Sequence, residues 1–296
     1  MDLAQFSKSE HLAYSCFLCG TCRNVCPEQI DGAELALQMR RDMVKREESP
    51  LHEAAYKRIL WEKNPYKFDN YRKSYKKSVL FPGCTFPSIY PRTMKHLENL
   101  MEKHNVGVVH ECCGKPVYEL GLGLEDVESL KRAELKLKSQ GVEEVVVICP
   151  NCYHFMKGKL DLSIVTIYEK LKELEEGSAV KMDEIPVYLP CPDRAGEEMI
   201  KDIRYFLEGN IVYPFTELQC CGLGGCARIK EPDLSSQMGA MEGSGRMYTY
   251  CASCISNFKR KGVKEAYHIL PLILGVDETA MSGIGAFLNR VKKKIV

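Results

Sequence analysis

The chain has 296 residues, 45% of them hydrophobic, with 41 Lys and Arg against 40 Asp and Glu. A chain of this length suggests about two domains with a real core, and its formal charge of +1 gives no electrostatic case for nucleic acid or an anionic membrane. Fifteen cysteines stand out, and residues 1–15 are polar and charged rather than a secretory signal, so metal ligation is expected over disulfides.

The first motif is Cys16-Phe-Leu-Cys19-Gly-Thr-Cys22-Arg-Asn-Val-Cys26-Pro27. Its spacing, C-x₂-C-x₂-C-x₃-C-P, is that of bacterial ferredoxins, where the backbone wraps a cubane [4Fe–4S] cluster. In two-cluster ferredoxins the fourth cysteine serves the other cluster, and no second run exists here. The fourth ligand is therefore either Cys26 or a cysteine elsewhere. Cys226 lies outside every motif, and its plainer reading is a small buried residue in a loop. Asp31-Gly-Ala-Glu34 reads as a capping box opening a helix through Leu35, Met39 and Val44. From Arg40 to Ser78 basic residues outnumber acidic ones two to one, with Tyr56, Trp61, Tyr66, Phe68, Tyr71 and Tyr75 among them. A solvated helical linker or a docking surface for a partner protein is expected there, not a nucleic-acid site.

Beyond it, short apolar strands alternate with helical stretches. Val79-Leu80-Phe81 leads to Cys84. A helix from Thr93 to Lys103 follows, then a strand from Val106 to Val109 before Cys112. Another helix from about Leu124 to Ser139 precedes the strand Val145 to Ile148 and Cys149. Lys181 to Pro186 reads as a connector. Then Val187-Tyr188-Leu189 leads to Cys191, Ile211 to Tyr213 precedes Cys220, and Met247 to Tyr250 leads to Cys251. Ile269 to Val276 reads as a core strand or helix, and Thr279 to Val296 as a final helix with a basic end. No apolar run reaches the roughly 20 residues that span a bilayer. The expected fold class is α/β, with two similar halves, mostly parallel sheets and a small helical N-terminal module. The expected divisions are 1–77, 78–180 and 181–296.

Within those halves one cysteine pattern occurs twice. Cys84, Cys112-Cys113-Gly114 and Cys149-Pro-Asn-Cys152 are followed by Cys191, Cys220-Cys221-Gly222 and Cys251-Ala-Ser-Cys254. A vicinal pair fits a tight turn, where the following glycine permits positive φ. Each C-x-x-C opens a helix, whose free N–H groups favour thiolate. In parallel sheets ligands bind beyond the carboxyl ends of the strands, where these cysteines fall. Five cysteines per copy exceed what zinc or an ordinary cubane takes. Either one is spare, or the cluster is non-standard with thiolates shared between irons.

The doubled pattern resembles the cysteine-rich CCG domains in the B and D chains of heterodisulfide reductase, over roughly residues 78 to 296. The resemblance implies two noncubane [4Fe–4S] clusters held by the ten repeated cysteines, beside one cubane at Cys16, Cys19, Cys22 and Cys26. It implies a redox subunit passing electrons from the cubane to the paired clusters, which reduce a disulfide; in relatives this is the mixed disulfide of coenzyme M and coenzyme B. The alternative is a relay subunit of a fumarate reductase or quinone-linked dehydrogenase. Lys115, Arg194 and Arg228 follow ligands closely and are the candidates to contact an anionic substrate or to offset cluster charge. His110 and His154 read as structural hydrogen-bonding groups, and Gly222-Leu-Gly224-Gly225 as a bend around a cluster. Expected partners are a flavoprotein or ferredoxin-type redox subunit, or a membrane cytochrome b. The expected location is the cytoplasm of an anaerobic cell, free or at the periphery of a membrane complex.

Overall fold

The computed structural model describes residues 10–213, 220–238 and 245–295. The helices around the site are α1 (Thr21–Val25), α2 (Gly32–Lys45), α3 (Ala54–Lys63), α4 (Pro91–Lys103), α5 (Glu128–Ser139), α6 (Pro150–Met156), α7 (Ala252–Arg260) and α8 (Gly283–Ile295). As its sequence implies, Asp31 caps α2, its carboxylate accepting from the N–H groups of Ala33 and Glu34.

Strands β1 (Asn70–Lys73), β2 (Ser78–Phe81), β3 (Gly107–His110), β4 (Glu144–Val147) and β5 (Ser163–Thr166) form one sheet, ordered β1-β3-β2-β4-β5. All pairs are parallel except β1 with β3. Val79, Leu80 and Phe81 of β2 are wholly buried, as a central strand covered on both faces demands. Each contributes about 1.5–3 kcal/mol by that burial. Helix α4 covers the sheet with Met94, Leu97 and Met101, and α5 with Leu130, Ala133 and Leu137.

Strands β6 (Val180–Pro186) and β7 (Leu207–Val212) pair in parallel, as do β8 (Met247–Thr249) and β9 (Ala266–His268). A parallel bridge from Val187 to Tyr248 joins them, with the Tyr188 N–H donating to the Tyr248 carbonyl at 2.7 Å. The resulting order, β7-β6-β8-β9, repeats β3-β2-β4-β5. The doubled cysteine pattern therefore rides on a doubled parallel sheet, and the fold is α/β.

Two expectations need correcting, and one alternative is decided. The stretch Lys181 to Pro186 is no connector but most of β6. Its charges disguise it: only Val180 and Ile185 are buried, and Lys181 pairs across the strands with Glu208 at 2.9 Å. Nor is Arg40 to Ser78 a solvated linker. Tyr56, Tyr66 and Tyr71 are buried, and the segment supplies α3 and the edge strand β1. Several of its cations lie over rings, Arg41 on Tyr118, Lys63 on Tyr66 and Lys67 on Trp61. The apolar run from Ile269 is helical over Ile269–Ile273.

The basic final helix α8 returns to the first half. Asn289 Nδ2 donates to the Ser88 carbonyl at 3.0 Å and Arg290 pairs with Glu62 at 2.8 Å. Phe287 packs edge-on to Phe68 with centroids 5.9 Å apart. Among the described residues no helix is long and apolar enough to cross a membrane.

Candidate metal centre

Parallel pairing puts the carboxyl ends of β2, β3 and β4 on one edge, and Cys84, Cys112 and Cys149 each follow within three residues. Cys251 follows two residues after β8, and Cys191 five residues after β6. Cys149 and Cys251 are the N-cap residues of α6 and α7, so Cys152 and Cys254 lie in the first turn beside free N–H groups. Gly114, after the Cys112-Cys113 pair, turns the chain at φ 84°. A Cβ there would meet Val127 Cγ1 at 2.2 Å, so no side chain fits.

These loops surround a cavity of about 600 Å³. Its walls include Cys84, Cys112, Cys113, Cys149 and Cys152 from the first copy and Cys191, Cys221, Cys251 and Cys254 from the second. Cys226 lines it too. The thiols form a continuous hydrogen-bonded run: Cys84 to Cys112, Cys113, Cys152, Cys149, Cys251, Cys254 and Cys221 in turn. The Cys149–Cys251 contact crosses from one half to the other. Hydrogen bonds from Cys112 and Cys152 hold the Cys113 thiol down at about 5. That from Cys152 also lowers Cys149, and that from Cys254 lowers Cys221. Burial pushes Cys191 up to about 12.

Among the described residues, no group of three or more His, Cys, Asp or Glu converges on a single metal-ion position. The walls fit a larger, sulfur-ligated group. The donors are soft thiols, the class that selects iron–sulfur clusters. Gly83 leaves the space above them open, since a Cβ there would stand 3.1 Å from Cys152 Sγ and 3.5 Å from Cys149 Cβ.

Residues 78–157, which hold the first copy, match the family of the CCG cysteine-rich domain. An uncharacterized iron–sulfur protein of Methanococcus maripaludis is 27% identical, over 76% of this chain and 51% of its own length. The B chain of fumarate reductase (CoM/CoB) from Methanothermobacter marburgensis is 24% identical over the same shares, 76% and 51%. The D chain of the dihydromethanophenazine:CoB–CoM heterodisulfide reductase of Methanosarcina acetivorans is 24% identical, over 79% of this chain and 66% of its own. The chain is thus similar to iron–sulfur chains of heterodisulfide and fumarate reductases. It spans about half the length of the first two relatives.

The N-terminal motif sits against the second half. The Leu18 N–H donates to Cys16 Sγ at 3.4 Å, and Cys19 Sγ to Thr21 Oγ1 at 3.4 Å. Cys22 is exposed, while Cys16, Cys19 and Cys26 are partly so. Cys220 does not line the cavity; its thiol is hydrogen-bonded to Cys19 instead. Cys226, the alternative ligand for that motif, faces the cavity and packs beside Tyr14 and Tyr56.

Of the three cations singled out from sequence, Lys115 and Arg228 line the cavity and Arg194 does not. Arg194 Nη1 donates instead to Thr21 Oγ1 at 3.1 Å and to the Cys19 carbonyl at 3.4 Å, bracing the N-terminal loop. A third cavity cation, Lys63 at the end of α3, was not legible. It follows no cysteine, and only the docking of α3 brings it there. Burial works against its charge, but thiolate at Cys84 and Cys112, with Tyr66 and Glu62, raises its pKa. Lys115 is raised against burial by Glu119, its ion-pair partner, and by Cys191.

His154 Nε2 lies 2.7 Å from Asp193, which also accepts from Tyr250 at 2.6 Å and from the Met199 and Ile200 N–H groups. That carboxylate ties α6 of the first half to the Cys191 and Cys251 loops of the second. His110 contacts Glu98 at 3.5 Å. Neither histidine lines the cavity, and each contacts a carboxylate.

Arg40 was missed entirely. Wholly buried, it donates from Nε to Ala13 O (2.9 Å), from Nη1 to Glu119 O (2.6 Å) and Gly225 O (2.7 Å), and from Nη2 to Cys16 O (2.8 Å). One guanidinium thereby holds the N-terminal cysteine loop and one loop from each half.

Proposed function

We propose that this iron–sulfur electron-transfer protein reduces a small disulfide in the cavity between its halves, with electrons entering through the N-terminal site. The observation that carries the reading is the cavity itself, into which nine of the ten repeated cysteines open, with Lys63, Lys115 and Arg228 on its walls. Three [4Fe–4S] clusters, one cubane at the N-terminal motif and two at the repeats, would supply single electrons at low potential. Two electrons and two protons convert one disulfide into two thiols. The chain's own residues bind and orient. Lys115, neutralised by Glu119, and Lys63, neutralised by Glu62 at 2.8 Å, offer fixed cations to an acidic substrate without leaving a bare buried charge. Phe86 and Pro116 exclude water from the same wall. Physiological reduction calls for a partner, a flavoprotein or ferredoxin-type protein or a membrane cytochrome b.

The test is anaerobic incubation of the fully loaded, reduced chain with candidate disulfides, following EPR and free thiol. Thiol release with a matching spectral change supports the reading. No release and no change with any disulfide hands the protein to the second reading, a relay component with no substrate of its own. Similarity to the B chain of a fumarate reductase favours that one.

A further inference from the structure

The two copies of the cysteine pattern are written alike and are not placed alike. In the first, Cys112 bonds to Cys84 and Cys113 and faces the cavity. In the second, Cys221 lines the cavity while its neighbour Cys220 does not. Its thiol meets Cys19 and packs with Phe17 and Ala227. It is 3% exposed, whereas Cys22, in the motif it joins, is open to solvent.

A second set of contacts, independent of the thiols, holds the same loops together. A Cβ on Gly224 would lie 2.3 Å from the Phe17 carbonyl, and one on Gly225 would lie 2.6 Å from the Cys16 carbonyl. The glycines after the second vicinal pair therefore let the N-terminal loop approach to backbone contact. Arg40 bridges the two loops through Cys16 O and Gly225 O, and Arg194 reaches from beside Cys191 to the Cys19 carbonyl. At the first pair, the Cys112 N–H is taken by the Glu111 carboxylate at 2.9 Å, and Lys63 of α3 is the charged neighbour of its thiol.

We propose that Cys220 is a ligand of the N-terminal site, completing Cys16, Cys19 and Cys22, so that the second-half site holds its group through Cys191, Cys221, Cys251 and Cys254 alone. The inference rests on the iron–sulfur reading above. Four thiolates are the complement of an ordinary cubane, so the two cavity sites differ: five cysteines in the first half, four in the second. The vicinal pair then has one thiol on each site, and two bonded residues separate the point of electron entry from the cavity. Cys26 is left over.

Cys220→Ala, Cys26→Ala, Cys221→Ala and Cys19→Ala, each in the full-length chain and reconstituted anaerobically, test this by iron and sulfide content and by EPR. Cys220→Ala should lose one cluster, about four irons, and extinguish the same EPR signal as Cys19→Ala. Cys26→Ala should retain that signal, and Cys221→Ala should remove a different one. Where Cys220→Ala fails to fold by circular dichroism, Cys220→Ser decides, because an oxygen ligand shifts the g-values of the site it joins; the shifted signal should be the one Cys19→Ala removes. The assignment is overturned if Cys220 and Cys221 substitutions act on one signal, or if Cys26→Ala extinguishes the N-terminal signal while Cys220→Ala spares it. A wild-type chain that binds no iron refutes the iron–sulfur reading instead.

Discussion

Replacing Arg40 with methionine removes every donor from the point where three loops meet and keeps most of the aliphatic bulk. Four carbonyls, of Ala13, Cys16, Glu119 and Gly225, lose partners at 2.6–2.9 Å. A bared buried acceptor costs about 1–3 kcal/mol. The lower figure applies here because the cavity gives water a path to these loops, which sets the loss at about 4 kcal/mol. Against that, methionine no longer carries the desolvation penalty of a wholly buried guanidinium. A net loss of about 3 kcal/mol is expected, or about 8 °C in Tm at about 2–4 °C per kcal/mol for a chain approaching this size. Arg40→Lys should fall between, since one ammonium has three donors and no planar fork. Anaerobic melts followed by far-UV circular dichroism measure the loss. Visible absorbance should show the N-terminal site failing first, because Ala13 and Cys16 belong to its loop. A methionine variant melting within about 2 °C of wild type would refute the view that Arg40 holds these loops.

The loaded wild-type chain should contain about 12 iron and 12 sulfide, three four-iron clusters; about four irons with stoichiometric zinc would sink the repeat as an iron–sulfur site. Cys226→Ser should leave iron content unchanged, since its thiol packs beside Tyr14 and Tyr56 rather than against the N-terminal motif; loss of one cluster would make it a ligand. Lys63→Met should raise KM for an anionic disulfide about tenfold, the worth of one charge-assisted hydrogen bond, and leave a neutral disulfide unaffected. An equal effect on both would assign Lys63 to packing. Burial pushes the Glu98 carboxyl up, but hydrogen bonding from the neutral His110 ring and the Lys293 ammonium outweighs it and holds the pKa down at about 2. Its contribution, at most about 3 kcal/mol, is present above the ordinary value of 4.5 and is lost as pH falls towards 2. The Tm gap between wild type and Glu98→Gln should therefore narrow from pH 7 to pH 3; a constant gap would refute the linkage.

What was legible in the sequence was local. The runs Val79-Leu80-Phe81 and Val145-Val146-Val147 are apolar throughout because they are buried on both faces, and the cysteines after them mark the carboxyl edge of the sheet. The helix starts at Cys149 and Cys251, the cap at Asp31 and the turn at Gly114 each follow from a short sequence signal. The misses have two causes. β6 was hidden because an edge-like strand needs only Val180 and Ile185 buried, and charged residues filled the rest. Lys63, Arg40 and Asp193 act on cysteine loops that lie far from them along the chain. No periodicity or spacing encodes a contact made by docking α2 or α3 onto the body.

The placement of Cys220 has the same origin, and it shows why repetition of a motif need not repeat a site. Two copies of one pattern on two copies of one sheet give two equivalent edges only while nothing else packs there. The N-terminal loop packs on one of them: Phe17 and Cys16 lie in backbone contact with Gly224 and Gly225, and Arg40 fixes the approach through Gly225 O. A vicinal pair can present its two side chains to different sides, so a loop arriving beside it can take one thiol and leave the other. In the first half both thiols of the pair face the cavity. The asymmetry thus follows from where residues 10–45 dock, and a change that lifted that segment, Arg40→Met among them, should weaken the Cys19–Cys220 contact before it disturbs the first-half site.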